Sequence, residues 1–166
     1  MNLRYEIYET PREGFLEYSF SSEGYQGPIG QVYRRYLKGI MFIFNIDPLY
    51  HGYGIGRAAF NRAYERMNKG KKVQFIEGNW MKSKKFKHLE NGCCINFNIY
   101  KKGKIAGLTS QEAALATPTG KWSAELGFNK VAIIKENSRR VEVRFYRSVT
   151  AAPSYISFGI ETYLNC

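Results

Sequence analysis

Polar and apolar positions alternate along the first forty residues, and the period then changes. Leu3 to Tyr8 sets Leu, Tyr and Ile against Arg, Glu and Tyr, the two-residue repeat of a strand with one face covered. Pro11-Arg12-Glu13-Gly14 reads as a turn, and Phe15 to Ser21 as a second, aromatic strand. Ser22 to Gly30 carries three glycines and a proline and reads as a loop. Gln31 to Leu37 and Ile40 to Asp47 are further strands, separated by Lys38-Gly39. The stretch Ile40 to Ile46 is almost wholly apolar, which fits a central strand covered on both faces. From Arg57 to Met67 the repeat is helical, with Phe60, Ala63, Tyr64 and Met67 on one stripe. Val73 to Glu77 returns to strand. Residues 39–77 thus predict a strand, a glycine-rich turn, a helix and a parallel strand.

Residues 79–108 read as an excursion in which Cys94 to Tyr100, alternating Ile and Phe with Asn, is a candidate strand. Thr109-Ser110-Gln111-Glu112 has the form of a capping box opening a short helix over Ala113 to Ala116. Thr117-Pro118 pairs an N-cap with proline at the first helical position, and that helix carries Lys121 to Leu126 and stops at Gly127. Asn129 to Ile134 and Val141 to Tyr146 predict a hairpin around Asn137-Ser138, and Ala151 to Cys166 one further strand. No repeat or linker interrupts the chain, so the expectation is one α+β domain over residues 1–166.

Composition narrows the class. Apolar residues make up 44% and aromatics 16% of the 166 residues, too rich for a disordered chain. No apolar run reaches the roughly 20 residues of a membrane helix. The N-terminus lacks a signal core, which predicts a cytoplasmic protein, or one delivered into a target cell's cytoplasm. Three cysteines exclude a dense disulfide framework, and no Cys/His group has metal-ligand spacing, so no metal is expected. The formal charge is +11, and +8 of it falls between Asn68 and Ile105, where ten lysines face Glu77 and Glu90. Such a footprint fits an acidic or polyanionic partner.

The chemistry sits in the turn His51-Gly52-Tyr53-Gly54-Ile55-Gly56 between a buried strand and a helix. Glycines let the main chain approach a ligand, and the first amides of a helix have no intrahelical acceptors and lie at its positive end. A pyrophosphate is the group that such a turn accepts. The turn lacks the Lys-Ser/Thr of a Walker loop and the third-glycine spacing of a dinucleotide fingerprint.

Asn45 to Ala58 resembles the coenzyme-A-binding segment of the GNAT (Gcn5-related) N-acetyltransferases, Gln/Arg-x-x-Gly-x-Gly/Ala, with Gly54 and Gly56 as its glycines and His51 in place of Gln or Arg. Trp122-Ser123-Ala124-Glu125-Leu126-Gly127-Phe128 resembles the family's helix end, and follows the first segment in the family's order. The resemblance implies a GNAT-like mixed, mainly antiparallel sheet with one splayed parallel pair, Ile40–Asp47 and Val73–Glu77, flanked by helices. It implies that acetyl-CoA is the co-substrate. Its pantetheine arm would pair with the main chain near Phe44, Asn45 and Ile46, and its pyrophosphate would lie on His51, Gly52, Tyr53, Gly54, Ile55, Gly56 and Arg57. It also implies acetyl transfer to an amine of a protein or an aminoacyl-tRNA, and the short N-terminus resembles the toxin or effector branches. The family's catalytic Tyr is replaced by Ser123 and its Asn by Ala116. Ser123, as a holder of water, and Glu77, as base, are therefore the candidate catalytic residues. The other expectation is a GNAT-like module that binds nucleic acid or protein without catalysis.

Overall fold

The computed structural model describes the backbone of residues 5–12, 15–22, 30–37, 40–46, 54–70 and 72–148, and the side chains of 54–69 and 72–148. The chain divides after Val73 into two compact units. In the first, β1 (Tyr5–Arg12), β2 (Phe15–Ser22), β3 (Gly30–Leu37) and β4 (Ile40–Ile46) form an antiparallel meander in chain order. β1 runs on through Pro11 and Arg12, which the sequence assigns to a turn, and Arg12 stands opposite Phe15. α1 (Ile55–Gly70) packs on β3 and β4. It buries Ile55, Ala59, Phe60, Ala63 and Met67, while Tyr64 is half-buried. The apolar stripe that predicts the helix is thus the face that holds it.

The second unit is a three-stranded antiparallel sheet in the order β5 (Phe75–Met81), β7 (Arg140–Tyr146), β6 (Lys130–Glu136). Pairing inside each unit is antiparallel throughout; the expected parallel pair, β4 with β5, would join the two units. In β5 and β7, alternate residues are buried: Ile76, Gly78 and Trp80 on one strand, Val141, Val143 and Phe145 on the other. The β6–β7 hairpin closes as expected, with Asn137 N–H donating to Arg140 O at 2.9 Å and Asn137 Oδ1 accepting from the amides of Arg139 and Arg140.

α2 (Ile95–Ile105) corrects the strand expected over Cys94–Tyr100. Alternation of Ile95, Phe97 and Ile99 mimics a strand, yet the core takes Asn96, Phe97 and Tyr100, the spacing of a helix face. Trp80 fixes the choice: its ring lies 6.2 Å from both the Tyr100 and Phe145 rings, so the aromatic three residues after Phe97 joins the core. Each such buried ring contributes on the order of 2–3 kcal/mol. The excursion also yields its first three residues, Asn79 to Met81, to β5, and holds two 3-10 turns at Lys84–Phe86 and Glu90–Gly92. Ala151 to Cys166 lie outside the described residues.

α3 (Ser110–Leu115) and α4 (Pro118–Glu125) follow their sequence signals. Thr109 Oγ1 accepts from Glu112 N–H at 3.2 Å, and Thr109 N–H donates to the Glu112 carboxylate at 2.8 Å. The Thr109 N–H and the Thr109 hydroxyl, which also donates to the carboxylate at 2.8 Å, hold the Glu112 pKa below its usual value. Thr117 caps α4 through Gly120 N–H at 3.0 Å, and its own hydroxyl donates to Ala114 O at 2.7 Å, tying the two helices. Buried Asn96 accepts from Thr119 N–H at 3.1 Å and ties α2 to the same corner. Among the described residues, no helix is long and apolar enough to cross a membrane.

The α3–α4 corner leaves no room for a side chain at Gly120, whose added Cβ would meet Ala114 O and lie 2.7 Å from Leu115 Cα. Main-chain neighbours cannot swing aside. Gly120→Ala is therefore expected to cost about 2–3 kcal/mol or more by overpacking, read as a lower urea midpoint. In Gly103→Ala the tightest contacts are side-chain atoms at 3.2 Å, so the loss should be smaller.

Candidate active site

Two pieces of the predicted cofactor site lie in the first unit. Tyr33 stands opposite Asn45 and Arg34 opposite Ile43, so Phe44 is an extra residue in β4, a β-bulge. A bulge bends its strand and leaves one residue outside the ladder. It falls on Phe44, beside Asn45 and Ile46, the positions for which the GNAT resemblance implies contact with the pantetheine arm. The second piece is the start of α1. Gly54 has φ +75°, and a Cβ there would enter open space. Its carbonyl accepts from Ala58 N–H at 3.0 Å, so the helix opens on this residue. The first turn of α1 carries no acidic side chain to offset the positive end. Ile55 and Gly56 are buried and Arg57 is exposed. His51, Gly52 and Tyr53 lie outside the described residues.

Ser123 and Glu77 both belong to the second unit. Ser123 is wholly buried on α4, and its hydroxyl has no hydrogen-bond partner among the described residues. Its carbonyl accepts from Phe128 N–H at 2.9 Å while Gly127, at φ +90°, donates to Ala124 O, a Schellman ending that fixes Leu126-Gly127-Phe128. Arg147 completes this end: its guanidinium lies 3.7 Å from the Phe128 ring centre and donates to Leu126 O at 3.2 Å. Sequence reasoning missed Arg147, whose only signal is a cation one residue past the last strand.

Glu77 lies within β5 rather than at its end, on the face opposite Trp80. Arg144 stands directly across on β7 and its Nε donates to Glu77 Oε2 at 2.6 Å. The two side chains are only 17% and 11% exposed. The same face carries Arg140, which donates to Asn79 Oδ1 at 2.8 Å and pairs with Glu142 at 2.5 Å. Burial raises the Glu77 pKa above 4.5; Arg144 opposes the rise, and Glu142 adds to it. Glu77 is thus a carboxylate held in a charged ladder rather than a solvated strand end. Arg144 was also missed, although the alternation of β7 places it on the Glu77 face. Ala116, at the position of the family's Asn, caps α3 and is half-buried. Among the described residues, no group of three His, Cys, Asp or Glu side chains could hold a metal.

The chain is similar in backbone arrangement to three solved acetyltransferases. One is the IAA acetyltransferase from Bacillus cereus, with 14% identity, 81% of this chain and 79% of that chain covered, and a TM-score of 0.41. Another is a ribosomal-protein-alanine N-acetyltransferase from Escherichia coli, at 15%, 89%, 77% and 0.44. The third is a Bacillus subtilis acetyltransferase in complex with CoA, at 13%, 87%, 98% and 0.41. No model of a known protein family matches the chain, and no curated protein matches it.

The raised Glu77 pKa has a defined sign in stability. Above pH 4.5 the unfolded carboxyl releases its proton before the folded one does, so the folded state binds more protons. The contribution of Glu77 to stability is therefore full at low pH and is lost as pH rises through the folded pKa. Glu77→Gln removes the titration. Urea unfolding from below pH 4.5 to neutrality is expected to show the wild type losing stability relative to this variant as pH rises. A difference that stays flat or grows contradicts the assignment.

Proposed function

We propose that the chain is an N-acetyltransferase that uses acetyl-CoA. The observation that carries the reading is the bulge at Phe44 within β4, together with the positive-φ Gly54 that opens α1, the next described element of the chain. It agrees with the resemblance of residues 45–58 and 122–128 to the GNAT segments. In this reading β4 and β5 are the splayed parallel pair. Main-chain groups of Phe44 to Ile46 align the pantetheine arm, and amides from His51 to Arg57 hold the pyrophosphate. The acceptor is a primary amine of a macromolecule, protein or aminoacyl-tRNA.

The reaction needs a neutral amine. Its nitrogen forms a bond to the thioester carbonyl carbon, a main-chain amide stabilises the oxyanion, and the carbon–sulfur bond breaks as the carbonyl reforms. The amine's proton passes to Glu77, directly or through water, and the departing thiolate takes up a proton. The elevated Glu77 pKa suits a base better than an ordinary surface carboxylate does. Ser123 supplies a hydroxyl without an internal partner where the family places its acid. A serine is a poor direct acid, so its part is to hold a water. That Ser123 is sealed from solvent favours the second reading, a GNAT-like module that binds nucleic acid or protein without catalysis.

Coenzyme A at about a hundred times its dissociation constant should stabilise the protein by about 2.7 kcal/mol, read as a rise in melting temperature. Gly54→Glu puts bulk and negative charge on the helix end and should remove that rise. Gly54→Ala carries the backbone strain without the charge and should keep most of it. No rise with the wild type rejects the acetyltransferase reading, whereas a rise without cleavage of the acetyl-CoA thioester in the presence of amine leaves the second.

A further inference from the structure

We propose that the exposed lysines around the first 3-10 turn, together with the β6–β7 hairpin tip, dock the phosphate backbone of a folded RNA. The surface lies wholly in the second unit. Lys82 N–H donates to Arg139 O at 2.9 Å, and Lys101 Nζ reaches Ser138 O at 3.4 Å. These two contacts bring the segment after β5, the middle of α2 and the hairpin tip together. Lys82, Lys84, Lys85, Lys87, Lys101 and Arg139 are all exposed and have no carboxylate partner among the described residues. Of the acids nearby, Glu136 at the base of the hairpin accepts from Ser110 Oγ at 3.0 Å, and Glu90 and Glu142 are held by cations. Glu90 accepts from Lys102 at 2.9 Å and from Asn98 at 2.8 Å, which lowers its pKa, and Glu142 pairs with Arg140.

The segment is anchored rather than loose. Phe86 is buried beneath the turn, Ser83 caps it through Lys85 N–H, and Ser83 N–H donates to Gly92 O at 3.1 Å. The lysines are thus presented by an ordered backbone, so less ordering entropy opposes binding. The occupant follows from what the patch lacks. The one aromatic of the turn points inward, and the exposed large apolar side chains of the described residues, Ile105 and Leu108, lie at and beyond the end of α2. A protein interface needs an apolar or aromatic centre, and stable membrane anchoring takes an inserted apolar group or lipid chain in addition to basic charge. Phosphates need only cations, and lysines contact them as point charges. The choice of RNA over DNA rests on the acetyltransfer reading, because an aminoacylated RNA is a polyanion that also presents an aliphatic amine.

The test is fluorescence anisotropy of the full chain with a labelled RNA hairpin, in which unlabelled duplex DNA, polyglutamate and anionic vesicles compete. Six phosphate contacts predict about a 10³-fold loss of affinity between 50 and 200 mM salt. Removing three in Lys84→Gln/Lys85→Gln/Lys87→Gln should cut that loss to roughly 40-fold. Lys121→Gln/Lys130→Gln, at exposed lysines elsewhere, should leave it unchanged. Circular dichroism checks that each variant is folded. Equal loss in both variants, or equal competition by DNA, polyglutamate or vesicles, overturns the proposal. Coenzyme A stabilisation is measured on the same samples: weak RNA binding beside intact stabilisation sinks the docking surface alone, and absent stabilisation beside tight RNA binding sinks the acetyltransfer reading and with it the preference for RNA.

Discussion

A strand turns successive side chains to opposite faces, and in the second unit almost everything follows from that constraint. On β5 and β7 one face gathers Ile76, Trp80, Val141, Val143 and Phe145, against which α2 lays Tyr100. The other face is left with Glu77, Asn79, Arg140, Glu142 and Arg144, few of them fully in water. Moving either strand by one residue would exchange the two sets. Trp80 makes such a slip especially costly, because its indole, which packs beside the Tyr100 and Phe145 rings, would be turned to the polar face.

The helices are joined by polar groups inside an apolar layer. Asn96, Thr117 and Thr119 are buried, and each finds a main-chain or side-chain partner at the corner of α2, α3 and α4. An unpaired amide or hydroxyl there would cost about 1–3 kcal/mol, so these bonds specify one arrangement of the three helices. Two buried hydroxyls stand outside this economy. Tyr100 OH lies beside Ser110 and Glu136 but meets neither at hydrogen-bonding geometry, and burial pushes its pKa up to about 12. Ser123 Oγ has no hydrogen-bond partner among the described residues, and it is the hydroxyl that the transferase reading employs.

Charge is divided in a comparable way. Acids at Glu77, Glu90, Glu112 and Glu142 are each bound to a cation or to amides. Lys82, Lys84, Lys85 and Lys87 have no carboxylate partner among the described residues, so the local excess of positive charge faces outward. This separation lets one small unit hold a neutralised polar face and a strongly basic edge together.

By itself, the sequence determined most elements and their ends. The capping box at Thr109, the Thr117-Pro118 start, the stop at Gly127 and the Asn137 hairpin are local hydrogen-bonding devices, complete within a few residues, and such signals need no knowledge of the rest of the chain. The helix α1 was legible in its apolar stripe. Tertiary structure decided what depends on partners distant in sequence. Cys94 to Tyr100 alternates like a strand, but the surface presented by Trp80 makes a helix of Ile95–Ile105. Glu77 reads as a strand-end carboxylate until Arg144, 67 residues away, is found across the ladder. The bulge at Phe44 exists only in the register between β3 and β4. Local propensity fixes what a segment closes within itself; burial and charge pairing between segments settle which face, which partner and which register.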